Sequence, residues 1–401
     1  MLSGLLLHFF YWGVLVIMGF RSQVSGSDEM KIQCTKKLLE KLDVELAPVE
    51  MEEDSLFSWH ANLITVNRRN AVVVVNDKNR YAVILHGLKA KDFKKLGELA
   101  VLGIREAFRD AGIKEEVIEA YFSAAGERAF GKTKDRKLVA RLNKACENVG
   151  YIEERYPLEG MFPADLTRWV NGLLAGDGKS YIYPDQEMYQ DLEEFSGGPV
   201  FGTRAVQLKM TLALEEYRLW RRVIVPLNRT FPDLHEIIQA AFGWKDYHLH
   251  EFNLYDGPAP KDVSLRFREK AKPFLNLVCS EEAFAYPVGD VEMKMETGIR
   301  LSDYLPASES LAYRYDFGDD WLHIIEVEEV IDEYDKPQPI CVDGEGNTPP
   351  EDVGGEGGYA EFLRIVADRD DPEHEHLLEW GRMQGYKPFE IDGVNRRLKR
   401  L

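Results

Sequence analysis

The sequence predicts an α+β fold in two α+β domains, the second a mixed sheet with a ββαβ start of β-grasp type and C-terminal helices behind it. Three observations carry that expectation. AVVVV (71–75) and YAVIL (81–85) are β-branched runs parted by an Asn/Asp/Arg turn, as in a hairpin. DLHEIIQAAFGW (233–244) has apolar residues at helical spacing and follows two strand-like runs, QLKMTLALE and WRRVIVP. LAYRYDFGDDWLHIIE (311–326) alternates Tyr313 and Tyr315 with Arg314 and Asp316, then breaks at a cluster of acid and glycine. Ile324, Ile325 and Val327 resume a strand after that break.

The first domain is expected over residues 30–152. MKIQCT reads as a short strand and TKKLLEKL as an amphipathic helical turn. LFSWHANLITVNRRN (56–70) supplies the strand before the hairpin, with turns at 67–70 and 76–80. From Asp92 to Ala111, the residues Phe93, Leu96, Leu99, Leu102 and Ile104 are assigned to one helical face. Further helices are expected over 114–124 and 134–147. Residues 153–203 read as an acidic connector, with Pro157, Pro163, Pro184, Pro199, GDG and SGG around one short helical pattern, PADLTRWVNGLLAG.

The second domain, 204–401, opens strand, strand, helix (230–242), strand (HLHEFNLY). Asp233 falls near the N-terminus of that helix, where a carboxylate suits the free amides and the dipole. A less readable insert precedes a helical SDYL segment (302–305) and the hairpin whose turn runs from Asp316 to Asp320. PPEDVGGEGGY (349–359) lacks the GK[ST] ending of a phosphate loop and reads as a shaped loop docked beside the Asp-Gly-Asp turn. Two helices follow it, the first with Tyr359, Phe362, Leu363 and Val366 facing the sheet. His374 and His376 are expected in solvent at a helix start.

At 401 residues and 45% hydrophobic content, the chain has material for more than one core. The formal charge of −19 is uneven: residues 30–152 hold 22 Lys and Arg against 18 Asp and Glu, and 153–401 hold 27 against 49. Such a field repels phosphate backbones, so nucleic acid is not expected on the C-terminal domain. Any DNA contact falls to the N-terminal domain, where Lys132, Lys134, Arg136, Lys137, Arg141 and Lys144 would line a helix. A protein partner or a basic ligand suits the acidic domain better. Cys34, Cys146, Cys279 and Cys341 form no CxxC pair and fit reduced thiols in a cytoplasm. Residues 5–20 are an apolar run, short for a span of about 20 residues and without a basic n-region. A translation start at Met30 is the preferred reading, with an N-terminal anchor and a signal peptide as alternatives. Membrane contact follows only if the first 29 residues belong to the protein.

The candidate binding residues are Asp233, His235, His248, His250, Glu251, Asp316, Asp319, Asp320, Trp321 and His323, with Arg222 from WRRVIVP. Histidine–carboxylate clusters bind divalent metals or run acid–base chemistry, while turn aspartates also hydrogen-bond their own backbone. His248 and His250, two apart on an expected strand, would project from one face. His235, beside Leu234 and Ile238, fits a hydrogen-bonded core histidine as well as a ligand. Arg221 and Arg222 would point to opposite faces, one toward a pocket and the other toward the surplus acids. The motifs identify no cofactor, no particular metal and no catalytic residue.

QLKMTL, WRRVIVP, DLHEIIQAAFGW, HLHEF, the 311–326 stretch and PPEDVGGEGGY, in that order, resemble the plasmid pRiA4b ORF-3-like family over 207–398. The resemblance implies plasmid and mobile-element company, where members are named transposon passenger or TnpR-type proteins, and it brings no assigned biochemistry. CTKKL (34–38) and WHANL (59–63) make the first domain similar to an uncharacterised prokaryotic domain. Three functional expectations result. One is a non-enzymatic binding or accessory protein of mobile-element origin. The second is a metal-dependent hydrolase or nuclease-like enzyme using Asp316, Asp319, Asp320, His248 and His250. The third is a DNA-binding accessory protein acting through the N-terminal domain.

Overall fold

The computed structural model describes residues 30–47, 54–133, 135–151, 158, 160–176, 180–257, 272–287 and 289–401. The apolar run at 5–20 and Lys134 lie outside the described residues. The chain divides into two compact units, Met1–Arg105 with Ile118–Asp191, and Glu106–Val117 with Leu192–Leu401.

The first half of the chain runs β1 (Met30–Cys34), α1 (Lys36–Leu39), β2 (Ser58–Val66), β3 (Arg69–Asn76), β4 (Ala82–Leu88), α2 (Ala90–Phe93), α3 (Leu96–Asp110) and α4 (Glu115–Ala125). It continues through β5 (Arg128–Lys132), α5 (Arg136–Tyr151), α6 (Ala164–Gly172), β6 (Ala175–Gly176), β7 (Tyr181–Ile182) and α7 (Pro184–Ser196). The sheet order is β4-β3-β2-β1-β5, with β1 parallel to both of its neighbours. β2, β3 and β4 form the expected antiparallel meander. Its first turn has Asn67 and Arg68 at φ 48° and 61°, the left-handed pair that matches strand twist in a two-residue hairpin. Val73, Val75 and Ile84 pack on Leu142 and Val149 of α5 and on Leu166 and Val170 of α6. Val72 and Val74 are also fully buried, so this sheet is covered on both faces and reads as a continuous apolar run.

Several expectations are corrected here. The helix expected from Asp92 breaks after α2 and restarts at Leu96. Its buried line is therefore Leu96, Ala100, Ile104 and Phe108, and Leu102 is exposed. The segment read as a connector contains α6 and α7, and α6 contributes to the core. The basic run does not form one helix face: Lys132 lies in β5, paired with Cys34, and α5 begins at Arg136. Arg141 donates to Asp77 O, and Lys144 pairs with Glu147.

The second half runs β8 (Thr203–Leu212), β9 (Trp220–Pro226), α8 (Phe231–Phe242), β10 (His250–Leu254), β11 (Leu275–Val278), β12 (Glu292–Met295), β13 (Ser310–Tyr315), β14 (Trp321–Tyr334) and β15 (Ile340–Glu345). Helices α9 (Gly355–Ala367), α10 (His374–Met383) and α11 (Ile391–Leu398) close it. The eight-stranded sheet has the order β12-β11-β10-β13-β14-β8-β9-β15. It is antiparallel except for β11 with β12. The ββαβ start and the β13–β14 hairpin are present as expected, and the strand beside β8 is the antiparallel β14. SDYL forms only a short 3₁₀ turn, Leu301–Asp303.

Helix α8 is specified at both ends. Thr230 accepts from the Asp233 N–H while the Asp233 carboxylate accepts from the Thr230 N–H at 2.7 Å, and Gly243 closes the helix at φ 85°. Leu234, Ile237, Ile238 and Ala241 enter one core with Val223, Val225, Tyr359 and Phe362. Each fully buried Leu or Ile there contributes about 1.5–3 kcal/mol. Leu363 and Val366 pack against the same core, completing the α9 face read from the sequence. His374 departs from expectation: it is buried and its Nδ1–H donates to Ile365 O at 3.2 Å, while His376 is exposed. Among the described residues no helix is long and apolar enough to cross a membrane.

Candidate functional site

The chain between α8 and β10, residues 243–250, organises the polar chemistry of the second unit. It is held against the 349–354 loop near its start, where Trp244 Nε1–H donates to Pro349 O at 3.0 Å and the Lys245 N–H donates to Glu351 Oε1 at 2.7 Å. The Tyr247 N–H donates to the Tyr315 hydroxyl at 2.9 Å, tying the same segment to the end of β13. Pairing in β10 starts only at His250, opposite Tyr315. His248 therefore precedes the strand; its ring lies 5.8 Å from that of Tyr315, and the His250 ring lies 5.7 Å from that of Tyr313. The two rings serve different carboxylates.

His248 faces a cluster of acids. Its Nε2 lies 3.0 Å from Asp352 Oδ1, 3.5 Å from Asp316 Oδ2 and 4.0 Å from Glu351 Oε2. The turn accounts for the orientation of Asp316. Its Oδ1 accepts from the Gly318 and Asp319 N–H groups at 2.8 and 3.3 Å, and its Oδ2 is left facing His248. Asp316 and Asp352 both sit at positive φ, 55° and 57°, an unusual conformation that Asp tolerates better than most residues. His248, Asp316 and Asp352 offer ligand atoms within 4.8 Å of one another. With ligand bonds of about 2.0–2.2 Å, donor atoms around one ion stand roughly 3 Å apart; the His248 contacts match that spacing, and a small closure of the two carboxylates would complete a divalent-cation site. Behind the cluster, Glu351 is 1% exposed and shares its carboxylate with the Tyr315 hydroxyl and the Lys245 N–H. Burial raises its pKa above the usual carboxylate range.

A second cluster lies deeper. His235 on α8 and His250 on β10 stack face to face, with 3.6 Å between ring centroids. His235 Nε2–H donates to Asp246 at 2.9 Å, and its Nδ1 accepts from the Tyr313 hydroxyl at 2.8 Å. Gln239 donates to the same hydroxyl at 3.1 Å. His250 Nε2–H donates to both oxygens of Glu296, at 3.0 and 3.1 Å. Burial alone would lower the His250 pKa, but contacts with Cys279 and Glu296 outweigh it and hold the ring at about 9. Burial lowers His235, and the neighbouring charge of His250 adds to that effect. The stacked pair thus carries one positive charge, on His250.

The remaining candidates are occupied elsewhere. Asp233 caps α8. Glu251 accepts from Asn253 and Asn276, both at 3.1 Å. Asp319 accepts the Gly354 N–H at 3.0 Å and so docks the glycine loop beside the turn, and Asp320 pairs with Arg314. Trp321 and His323 are buried, His323 among the rings of Phe242, Trp244 and Tyr313. Arg222 pairs with Glu328 and Asp343, while Arg221 points inward. Sequence reasoning missed Asp246, Glu296, Glu351 and Asp352 as parts of the site. Glu351 and Asp352 stood within PPEDVGGEGGY and Asp246 lay between two motifs already singled out, whereas nothing local marked Glu296.

Residues 204–396 match the family described as plasmid pRiA4b ORF-3-like protein, and residues 31–187 match a domain of unknown function, DUF6933. An uncharacterised protein of Sinorhizobium fredii, y4hQ, is 33% identical over 175 residues, covering 44% of this chain and 79% of that protein. A crystal structure of a protein of unknown function from Methanosarcina mazei Go1 is 29% identical with a TM-score of 0.38. It covers 47% of this chain and 96% of the other. With the second half of the chain matching throughout, this protein belongs to the plasmid pRiA4b ORF-3-like family.

Proposed function

We propose that this is a non-enzymatic binding or accessory protein of mobile-element origin whose C-terminal unit holds a divalent cation at His248, Asp316 and Asp352 and presents it to a protein partner. The observation that carries the reading is the convergence of one imidazole nitrogen and two carboxylate oxygens within 4.8 Å. The partner is suggested by the rim. Tyr247 and Leu249 flank His248, Phe317 follows Asp316, and these side chains are 63%, 49% and 44% exposed. Exposed aromatics around a polar centre suit a protein interface. The unpaired thiols of Cys34, Cys146, Cys279 and Cys341 support a reducing, cytoplasmic setting.

A second reading, metal-dependent hydrolysis, is favoured by Glu351. A buried carboxyl with a raised pKa, 4.0 Å from a candidate ligand, is placed to move a proton from a metal-bound water. Calorimetric titration with Mn²⁺ and Zn²⁺ tests both readings. Saturable binding to the full chain, lost in Asp316→Asn and in His248→Gln, supports the site, and the same weak uptake in all three proteins rejects it. Hydrolysis of a model phosphodiester by the loaded protein, abolished by Glu351→Gln, would favour the second reading over the first.

A further inference from the structure

In this acidic chain, one cavity reverses the sign. It has a volume of about 60 Å³ and lies where α11 meets the C-terminal end of α8; Arg221, Lys387, Arg396 and Arg397 line it with a single carboxylate, Glu390. Arg221 is 2% exposed. Its guanidinium donates to the carbonyls of Ala241, Trp220, Glu345 and Gly346 and to Thr348 Oγ1, and every one of these acceptors is neutral. Phe242 and Phe389 flank it at 5.2 and 4.1 Å. A positive charge is thus buried with no carboxylate hydrogen-bonded to it among the described residues, a costly arrangement that a counter-anion would relieve. Arg397 repeats the pattern. Its Nε–H donates to Ala240 O at 2.6 Å, and its terminal nitrogens and those of Arg396 both approach Gly393. Burial, and then the charge of Arg396, lower its pKa.

Capping the C-terminus of α8 explains part of this. Arg221 and Arg397 donate to its last carbonyls, but a helix end carries only about half a negative charge. The positive charge on the cavity wall exceeds that several-fold, and Lys387 and Arg396 stand at the rim rather than at the carbonyls. We infer that the cavity binds a small oxyanion, the phosphate or carboxylate group of a ligand. The Arg396 and Arg397 guanidinium forks and Lys387 make the contacts, and Arg221 is the buried counter-charge. Guanidinium forks match both oxyanions in geometry.

Titration of the full chain with inorganic phosphate and, separately, with acetate tests this at low ionic strength, where charge is least screened. Saturable binding of one of them is expected, and preference for phosphate over acetate assigns a phosphorylated ligand, the reverse a carboxylate. Lys387→Gln with Arg396→Gln, both at exposed positions, should weaken binding about tenfold, since hydrogen bonds to charged groups are the strong ones. Glu390→Gln should tighten it. Asp316→Asn should leave it unchanged, which separates this site from the cation cluster. Absence of saturable binding of either anion, or equal affinity in the Lys387/Arg396 variant, would overturn the inference, whatever Arg221→Gln does to folding.

Discussion

His235 and His250 stack 5° from parallel with 3.6 Å between centroids, one from α8 and the other from β10, and each is anchored on its own carboxylate. Two imidazolium charges at that distance would repel strongly, so the pair holds one positive charge. The environment decides its owner: Glu296, itself 5% exposed, faces His250, whereas Asp246 is largely in solvent.

The folded pKa of His250, about 9, lies above its ordinary 6.5. Protonated His250 therefore favours the folded state. That contribution is complete below pH 6.5 and is lost as pH rises through about 9. Glu296→Gln should bring the His250 pKa, followed by ring-proton NMR, back toward or below 6.5 and remove this part of the alkaline stability loss.

His323 titrates in the opposite direction. Burial lowers its pKa to about 3, so as pH falls from 6.5 the unfolded chain takes up a proton that the folded chain refuses. Stability should decline by up to about 1.4 kcal/mol per pH unit over that window. His323→Phe, which suits the surrounding rings of Phe242, Trp244 and Tyr313, should flatten the acid limb in urea unfolding.

The 349–354 loop depends on close backbone approach at two glycines in the first turn of α9, which follows it. A Cβ at Gly358 would lie 1.9 Å from Val353 O, and one at Gly355, φ 69°, would lie 2.9 Å from Asp319 O. Gly358→Ala should destabilise the unit by about 1–3 kcal/mol, the usual cost of overpacking. It should also displace Glu351 and Asp352 and so weaken cation uptake, whereas Gly357→Ala, in open space, should change neither. Thermal unfolding and cation titration of the two variants check this.

The legible parts of the fold had strong local signals. The β3–β4 hairpin, the capping residues of α8 and the β13–β14 turn are written in β-branched runs, in Thr230 with Asp233, and in the DFGDD cluster. Elements with weak patterns were missed. β11 and β12 are four residues each, β5 is only partly buried, and α11 follows a Pro/Gly-rich stretch. The site was half legible for the same reason. His248 and Asp316 stood in recognisable motifs, but their meeting with Asp352 depends on a loop docking across 104 residues of chain. That His248 and His250 serve different carboxylates depends on where the fold brings Asp352 and Glu296, which alternation alone does not encode.

The central claim is that His248, Asp316 and Asp352 share a divalent cation. Broadening of histidine ring resonances by Mn²⁺ locates that ion directly. His248 should broaden first, at substoichiometric Mn²⁺, with His376, exposed beside Glu373, unaffected. In Asp316→Asn the selective broadening of His248 should disappear. Equal broadening of His248 and His376, or selective broadening that survives in Asp316→Asn, would contradict the account.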